Sequence, residues 1–305
     1  MSARWTRLAR VVVVCASFVA SVSACAVPPP GGPTACNLPS PAGTSLQSMT
    51  VDGQSRAFWV AVPPNYTGKA PVPVVFNFHG AGSNGYVEDR YTQMSVKAAP
   101  LGWIVMSPDA YVNGALTYWS LPPPANPDTH FVTAMLQWLR SHLCTDSRRM
   151  FATGLSDGAM FTQALACFMP GTFAAIAPVG AINATPVCRA GTPGTPLITF
   201  HGTADPIFPY QGNDTLPSVP ATVAAWATLD GCGTPATTTV VASDVTHTVY
   251  PACGNGTGVE LYTILDGGHN WPDGQFYTVP FGRMTTSIDA TDIMLRFFAA
   301  HRRAS

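Results

Sequence analysis

The sequence predicts an α/β fold, a mostly parallel twisted sheet with helices on both faces and no large lid. Three observations carry that expectation. Short apolar runs such as 71–78 and 197–200 lack polar alternation, which marks strands buried on both faces. Segments with helical spacing of apolar residues follow several of these runs, at 131–143, 159–168, 219–229 and 287–302, and such alternation closes as a parallel sheet covered on both sides. Between one strand and one helix stands Gly154-Leu155-Ser156-Asp157-Gly158, a G-x-S-x-G turn. Composition agrees, because 305 residues with 47% hydrophobic, 10% charged and 29 prolines describe a loop-rich globular chain. No basic patch suggests nucleic acid as a partner.

The amino-terminal segment is expected to be removed from the folded body. Arg4, Arg7 and Arg10 precede an uncharged apolar run, Val11 to Ala24, so residues 1–24 read as a secretory signal. Val22-Ser23-Ala24-Cys25 is similar to a bacterial lipobox, which makes Cys25 the expected lipidation site and the membrane a partner through an N-terminal lipid anchor. Ordinary cleavage after Ala26 with release of the enzyme is the alternative. Loss of three arginines leaves a mildly acidic mature chain. Residues 25–47, rich in Pro, Gly and Ser, are expected to be an anchor site and tether, with the folded domain at 48–305.

Export implies an oxidising, extracytoplasmic compartment for the cysteines Cys36, Cys144, Cys167, Cys188, Cys232 and Cys253. Proximity favours Cys232 with Cys253 across a hairpin and Cys167 with Cys188 across a strand. Elimination leaves Cys36 with Cys144. Neither C-x-x-C nor H-E-x-x-H is present, so no metal or cofactor is expected.

Along the folded part, 49–51 and 56–62 alternate around Asp52-Gly53 as an antiparallel hairpin. Residues 71–78 form a buried strand ending in His79-Gly80-Ala81-Gly82, and 103–107 form another. The strand 149–153 feeds Ser156, and the helix 159–168 leaves it. Strands at 173–179 and 197–200 follow, the second running into His201-Gly202-Thr203-Ala204-Asp205. A helix at 219–229, a hairpin of 237–241 and 246–250, a strand at 259–265 and a helix at 287–302 complete the chain.

A serine nucleophile needs a base and a buried acid that orients the base. Of seven histidines, only His79, His201 and His269 follow predicted core strands at the sheet edge where ligands bind. His79 precedes the serine in a His-Gly-x-Gly turn, whose expected role is to present N–H groups of Ala81 and Gly82 to an oxyanion, alongside the N–H of Asp157. His201 is expected to orient its loop. The order serine, acid, base is met by Ser156, Asp205 and His269, with Asp214 as rival acid. Asp157 stands beside the serine, with its carboxyl expected to point away from the imidazole.

The motifs F-H-G at 78–80, R-M-F-A-T-G-L-S-D-G at 149–158, F-H-G-T-A-D-P-I-F-P-Y at 200–210 and G-G-H-N-W-P at 267–272 together resemble the secreted polyhydroxybutyrate depolymerase and feruloyl or acetylxylan esterase group of α/β-hydrolases. A lipoprotein-type branch is the nearest in character. One departure is Ala159, where relatives commonly carry a second glycine. The resemblance implies the same triad, an α/β-hydrolase fold and a serine esterase that cleaves carboxylic esters through an acyl-enzyme. Polyhydroxybutyrate-type, feruloyl and acetyl esters are the substrate classes it suggests, polymeric ones included, and a monomer is expected. A cell-envelope acyltransferase on the same triad and a non-catalytic surface-binding lipoprotein are the competing readings. Segments between the triad members are filled by predicted core elements, so the site is expected to be an open cleft. Trp119, Phe208, Tyr210, Trp271 and Phe276 are its candidate walls.

Overall fold

The structure, a computed structural model, describes residues 36–113, 116–121, 126–275 and 279–303. The signal segment, Cys25, most of the tether and Phe276 lie outside the described residues. A ten-stranded sheet forms the centre. Its first hairpin joins β1 (Gly43–Val51) to β2 (Gln54–Val62), and β2 runs antiparallel to β4 (Ile104–Pro108). The parallel heart contains β4, β3 (Val72–Phe78), β7 (Thr145–Leu155), β8 (Ala175–Val179), β9 (Leu197–Gly202) and β12 (Val259–Ile264), in that spatial order. Antiparallel β11 (Val245–Tyr250) and β10 (Thr237–Ala242) close the far edge. A small separate ribbon pairs β5 (Val112–Asn113) with β6 (Leu116–Thr117).

The unbroken apolar runs behave as expected, with every residue of β4, β8 and β9 buried. One face is covered by α3 (Pro127–His142), α4 (Asp157–Phe168) and α5 (Val219–Leu229), which contribute Phe131, Met135, Leu139, Phe161, Leu165, Val223 and Trp226 to one apolar cluster. The other face packs α1 (Gly85–Thr92), α2 (Met94–Ala98) and α6 (Ala290–Ala300) through Tyr91, Met94, Met294, Leu295 and Phe298. Helix α3 is fixed at its start by Asn126, whose side chain caps the N–H groups of Asp128 and Thr129, and by Pro127 in the first turn. Asp128 is buried there and forms an ion pair with Arg56 of β2, the two side chains being 0% and 3% exposed.

Two expectations need correcting. Ordered chain begins well before Ser48, because β1 starts at Gly43 and the segment ahead of it is tied down. Leu38 donates its N–H to Gly68 and accepts from the Tyr66 hydroxyl, while Cys36 is bonded to Cys144. Residues 36–47 are therefore part of the body, and the small polar residues that read as tether lie along an edge strand. The second correction is α1 and α2, which the sequence left unassigned. Asn84 caps α1 by accepting from the Val87 N–H, but apolar residues are too sparse there to display a helical stripe. The other disulfides join Cys167 to Cys188 and Cys232 to Cys253.

Candidate active site

Everything the sequence placed after a strand end meets at the carboxyl edge of the parallel strands, the usual ligand edge of an open α/β sheet. Ser156 stands between β7 and α4 with φ 58° and ψ −118°, a left-handed conformation that costs a non-glycine residue about 1–3 kcal/mol. The turn is held from both sides, since Ser156 donates its N–H to Val179 and accepts from the N–H groups of Ala159 and Met160. Gly158 is required by crowding, as a Cβ there would sit 2.0 Å from the Phe78 carbonyl oxygen of β3.

His269, in the loop after β12, donates Nδ1–H to Asp205 Oδ2 at 2.8 Å. With the proton on Nδ1, Nε2 is an acceptor. It is buried and has no partner among the described residues, and His269 and Ser156 line the same cleft. Asp205, in the loop after β9, is 5% exposed. Its Oδ1 accepts the N–H groups of Ile207 and Phe208, both at 2.8 Å, so its orientation is set by its own loop. The rival Asp214 is exposed.

His201 packs behind this pair. Its Nε2–H donates to the Phe208 carbonyl at 2.8 Å and lies 3.4 Å from Asp205 Oδ2, while burial holds its pKa below the ordinary value. His79 serves its turn similarly: Nδ1–H donates to the Gly80 carbonyl and Nε2 accepts the Ala110 N–H. Burial lowers its pKa also. Asp157 turns its carboxyl away from the imidazole to accept the Trp119 N–H at 2.6 Å, and burial pushes its pKa up to about 6.

The cleft encloses about 440 Å³ and is lined by Gly80, Ala81, Ser156, His269 and a mostly apolar wall of Val87, Tyr91, Leu155, Ile207 and Phe281. Five of the expected oxyanion and wall assignments change. Ala81 lines the cleft, and neither its N–H nor that of Asp157 has a partner among the described residues. The Gly82 N–H is instead spent on the Thr117 carbonyl at 2.8 Å, so Gly82 is no oxyanion donor. Trp119, Tyr210 and Trp271 are 1%, 8% and 1% exposed and do not line the cleft. Each is anchored through its polar atom: Trp119 Nε1 to the His79 carbonyl, the Tyr210 hydroxyl to Thr263, and Trp271 Nε1 to Thr291. Phe208 is not a cleft wall either, but its ring lies 5.6 Å from the His269 ring and supports it.

Sequence reasoning missed Glu88, Tyr91 and Phe281 as cleft residues, and Gly180 as a support. Gly180 follows β8 with φ +76°, and a Cβ there would stand 3.2 Å from Cε1 and Nδ1 of His269. A strand end followed by glycine was the only available signal. Chemically, a half-buried serine that lines the cleft on a strained turn, an imidazole with a free acceptor nitrogen, and two spare N–H groups form the set that acyl transfer requires.

No protein-family model matches the chain. A protein named "Putative esterase NocK", from Nocardia uniformis subsp. tsuyamanensis, is 26% identical over 349 residues, covering 96% of this chain and 98% of the relative. Feruloyl esterase B of Piromyces equi is 26% identical over 237 residues, covering 72% of this chain; the match spans 44% of that enzyme. Among solved structures, the acetyl xylan esterase from Aspergillus awamori superposes with a TM-score of 0.60 at 18% identity, covering 84% of this chain and 99% of that one. At that identity the likeness speaks for the fold.

Proposed function

We propose that this chain, which is a carboxylic ester hydrolase of the feruloyl and acetylxylan esterase group with the α/β-hydrolase fold, cleaves its ester through an acyl-enzyme on Ser156. The observation that carries the reading is His269, bonded through Nδ1 to Asp205 while its free Nε2 lies in the cleft that Ser156 lines. Ser156 attacks the carbonyl as Nε2 accepts its proton. The oxyanion is received by the N–H groups of Ala81 and Asp157, and the same proton then leaves with the alcohol. Water repeats the sequence and frees the acid. Asp205 keeps the imidazole in the needed tautomer and offsets its transient charge.

The apolar wall supports an acyl group larger than acetyl, so feruloyl-type and short hydroxyacyl esters are placed ahead of acetyl esters. Three disulfides support a working place outside the reducing cytoplasm. The lipobox-like segment ending at Cys25 supports attachment to the membrane by acylation.

A fluorophosphonate probe tests the nucleophile directly. Wild-type protein should be labelled on Ser156 at neutral pH and Ser156→Ala should not; an unlabelled wild type sinks the reading. Specificity constants across feruloyl, hydroxybutyryl and acetyl esters then test the substrate class.

A further inference from the structure

We propose that the end of the sheet opposite the cleft is a basic docking face for a bilayer surface of anionic phospholipid headgroups. The inference extends the Cys25 reading and is independent of the Ser156 one. Seven of the fifteen lysines and arginines meet at the amino ends of the parallel strands, although they are scattered in the sequence. Lys69 lies just ahead of β3, and Arg140 lies in the last turn of α3, shortly before Cys144. Arg148 and Arg149 belong to the first part of β7, where Thr145 pairs with Val72 and Arg149 donates to the Pro71 carbonyl. Arg302 and Arg303 follow α6 and join them: Arg302 bonds to Asp146, and Arg303 donates its N–H to the Arg148 carbonyl. Arg189 follows Cys188, which is bonded to Cys167 in the last turn of α4, a helix that starts at the cleft and runs away from it.

Opposing charge is scarce there. Asp146 is 4% exposed and is shared by Arg149 and Arg302. Asp230, also 4% exposed, turns inward to the Thr195 N–H, and Glu260 is held by His247. Among the described residues no exposed carboxylate stands at this end, whereas exposed Asp214 and Asp266 lie in the loops after β9 and β12, at the cleft end. Lys69, Arg140, Arg148, Arg189 and Arg303 have no acidic partner among the described residues. With Arg302, Arg303 lines a pocket of about 410 Å³ formed by the loops that precede β8, β9 and β12, and its Nε is buried without an acceptor. A phosphate supplies the planar set of acceptors that such a guanidinium lacks.

The upstream chain favours lipid over a soluble polyanion as the source of that phosphate. Cys36, bonded to Cys144, leaves the body at this same end, and Cys25 stands eleven residues before it, a span of at most about 40 Å. Acyl chains at Cys25 anchor the protein, and the charge orients it with the basic end toward the headgroups. Each cation held at an anionic bilayer adds roughly fivefold to partitioning.

The test uses residues 25–305 carrying Cys25→Ser, the chain as signal removal leaves it but without acyl groups. It reads co-sedimentation with vesicles of phosphatidylglycerol and phosphatidylcholine in equal parts, or of phosphatidylcholine alone. Partitioning to the anionic vesicles should be stronger by about tenfold or more, and the preference should vanish at ~0.5 M NaCl. Arg140→Glu with Arg189→Glu should weaken anionic binding by about tenfold or more. Arg90→Glu with Arg296→Glu, an equal change in net charge on exposed arginines of α1 and α6, should alter it by less than about threefold. Both pairs should keep the Tm and the kcat on p-nitrophenyl acetate, which separates lost docking from misfolding. If Arg140→Glu destabilises the end of α3, Lys69→Glu with Arg189→Glu takes its place. Equal binding to both vesicle types, or equal effects of the two pairs, overturns the inference. Tighter binding of long-chain inorganic polyphosphate than of vesicles at equal phosphate assigns the face to a soluble polyanion and overturns it as well. Mass spectrometry of the exported wild type decides acylation separately, and an unmodified Cys25 refutes that reading while the vesicle result stands.

Discussion

At the scale of single residues, the site depends on a few atoms that have no freedom to move. Ser156→Ala and His269→Ala should each reduce kcat by about 10⁴- to 10⁶-fold, because residues acting as a unit fail together. Activity near wild type in either variant would refute the triad. Gly180 offers a subtler test. A methyl group there meets the His269 ring at 3.2 Å on a backbone with φ +76°, so either the ring or the strand end must shift. Gly180→Ala should lower kcat by about tenfold or more with KM little changed, as expected when a base is displaced and binding surface is not. Steady-state kinetics on one activated ester would reveal it, and a change confined to KM would contradict the placement.

At the scale of elements, the helices and strands hold the site through their ends. Helix α3 meets β2 by the buried pair of Arg56 and Asp128, and the second Asp128 oxygen accepts the Ser120 N–H beside Trp119. Asp128→Ala leaves Arg56 charged and unpaired, at a cost of about 3–5 kcal/mol. Joint replacement by Arg56→Met and Asp128→Leu should recover much of that loss. Urea unfolding midpoints check both, and a mild effect of the single change would show that water reaches Arg56. These contacts also explain what was legible beforehand. The proposed triad could be read because each member follows an apolar strand and because the chain order is restrictive. The G-x-S-x-G turn was reinforced by the requirement for glycine at 158. Helix α1 was not legible, for its stabilising contacts are a cap at Asn84 and one buried face rather than a visible stripe. Glu88 was hidden for a related reason: a glutamate in sequence reads as surface, and only packing shows it buried at the cleft. Trp119, Tyr210 and Trp271 misled in the opposite direction. Aromatics next to motif loops suggest walls, yet their polar atoms found buried partners and drew them into the core.

At the scale of the whole molecule, the disulfides differ in what they constrain. The bond between Cys36 and Cys144 spans 108 residues, whereas the other two span 21 each. On chain-entropy grounds the long loop is worth about 4–5 kcal/mol and each short one about 3. Replacing Cys36 and Cys144 by serine should therefore lower the unfolding midpoint most, and equal losses from all three pairs would argue that native strain, not loop size, sets their value. The same bond has a bearing on orientation. Cys144 immediately precedes β7, and Ser156 follows that strand's other end, an eleven-residue strand away. β3 covers the same rise in the six steps from Val72, paired with Thr145, to Phe78, paired with Gly154, so at about 3.3 Å per residue the point where the upstream chain joins the body is separated from the cleft by roughly 20 Å. Cys36 is thus fastened at the end of the sheet opposite the one that carries the cleft.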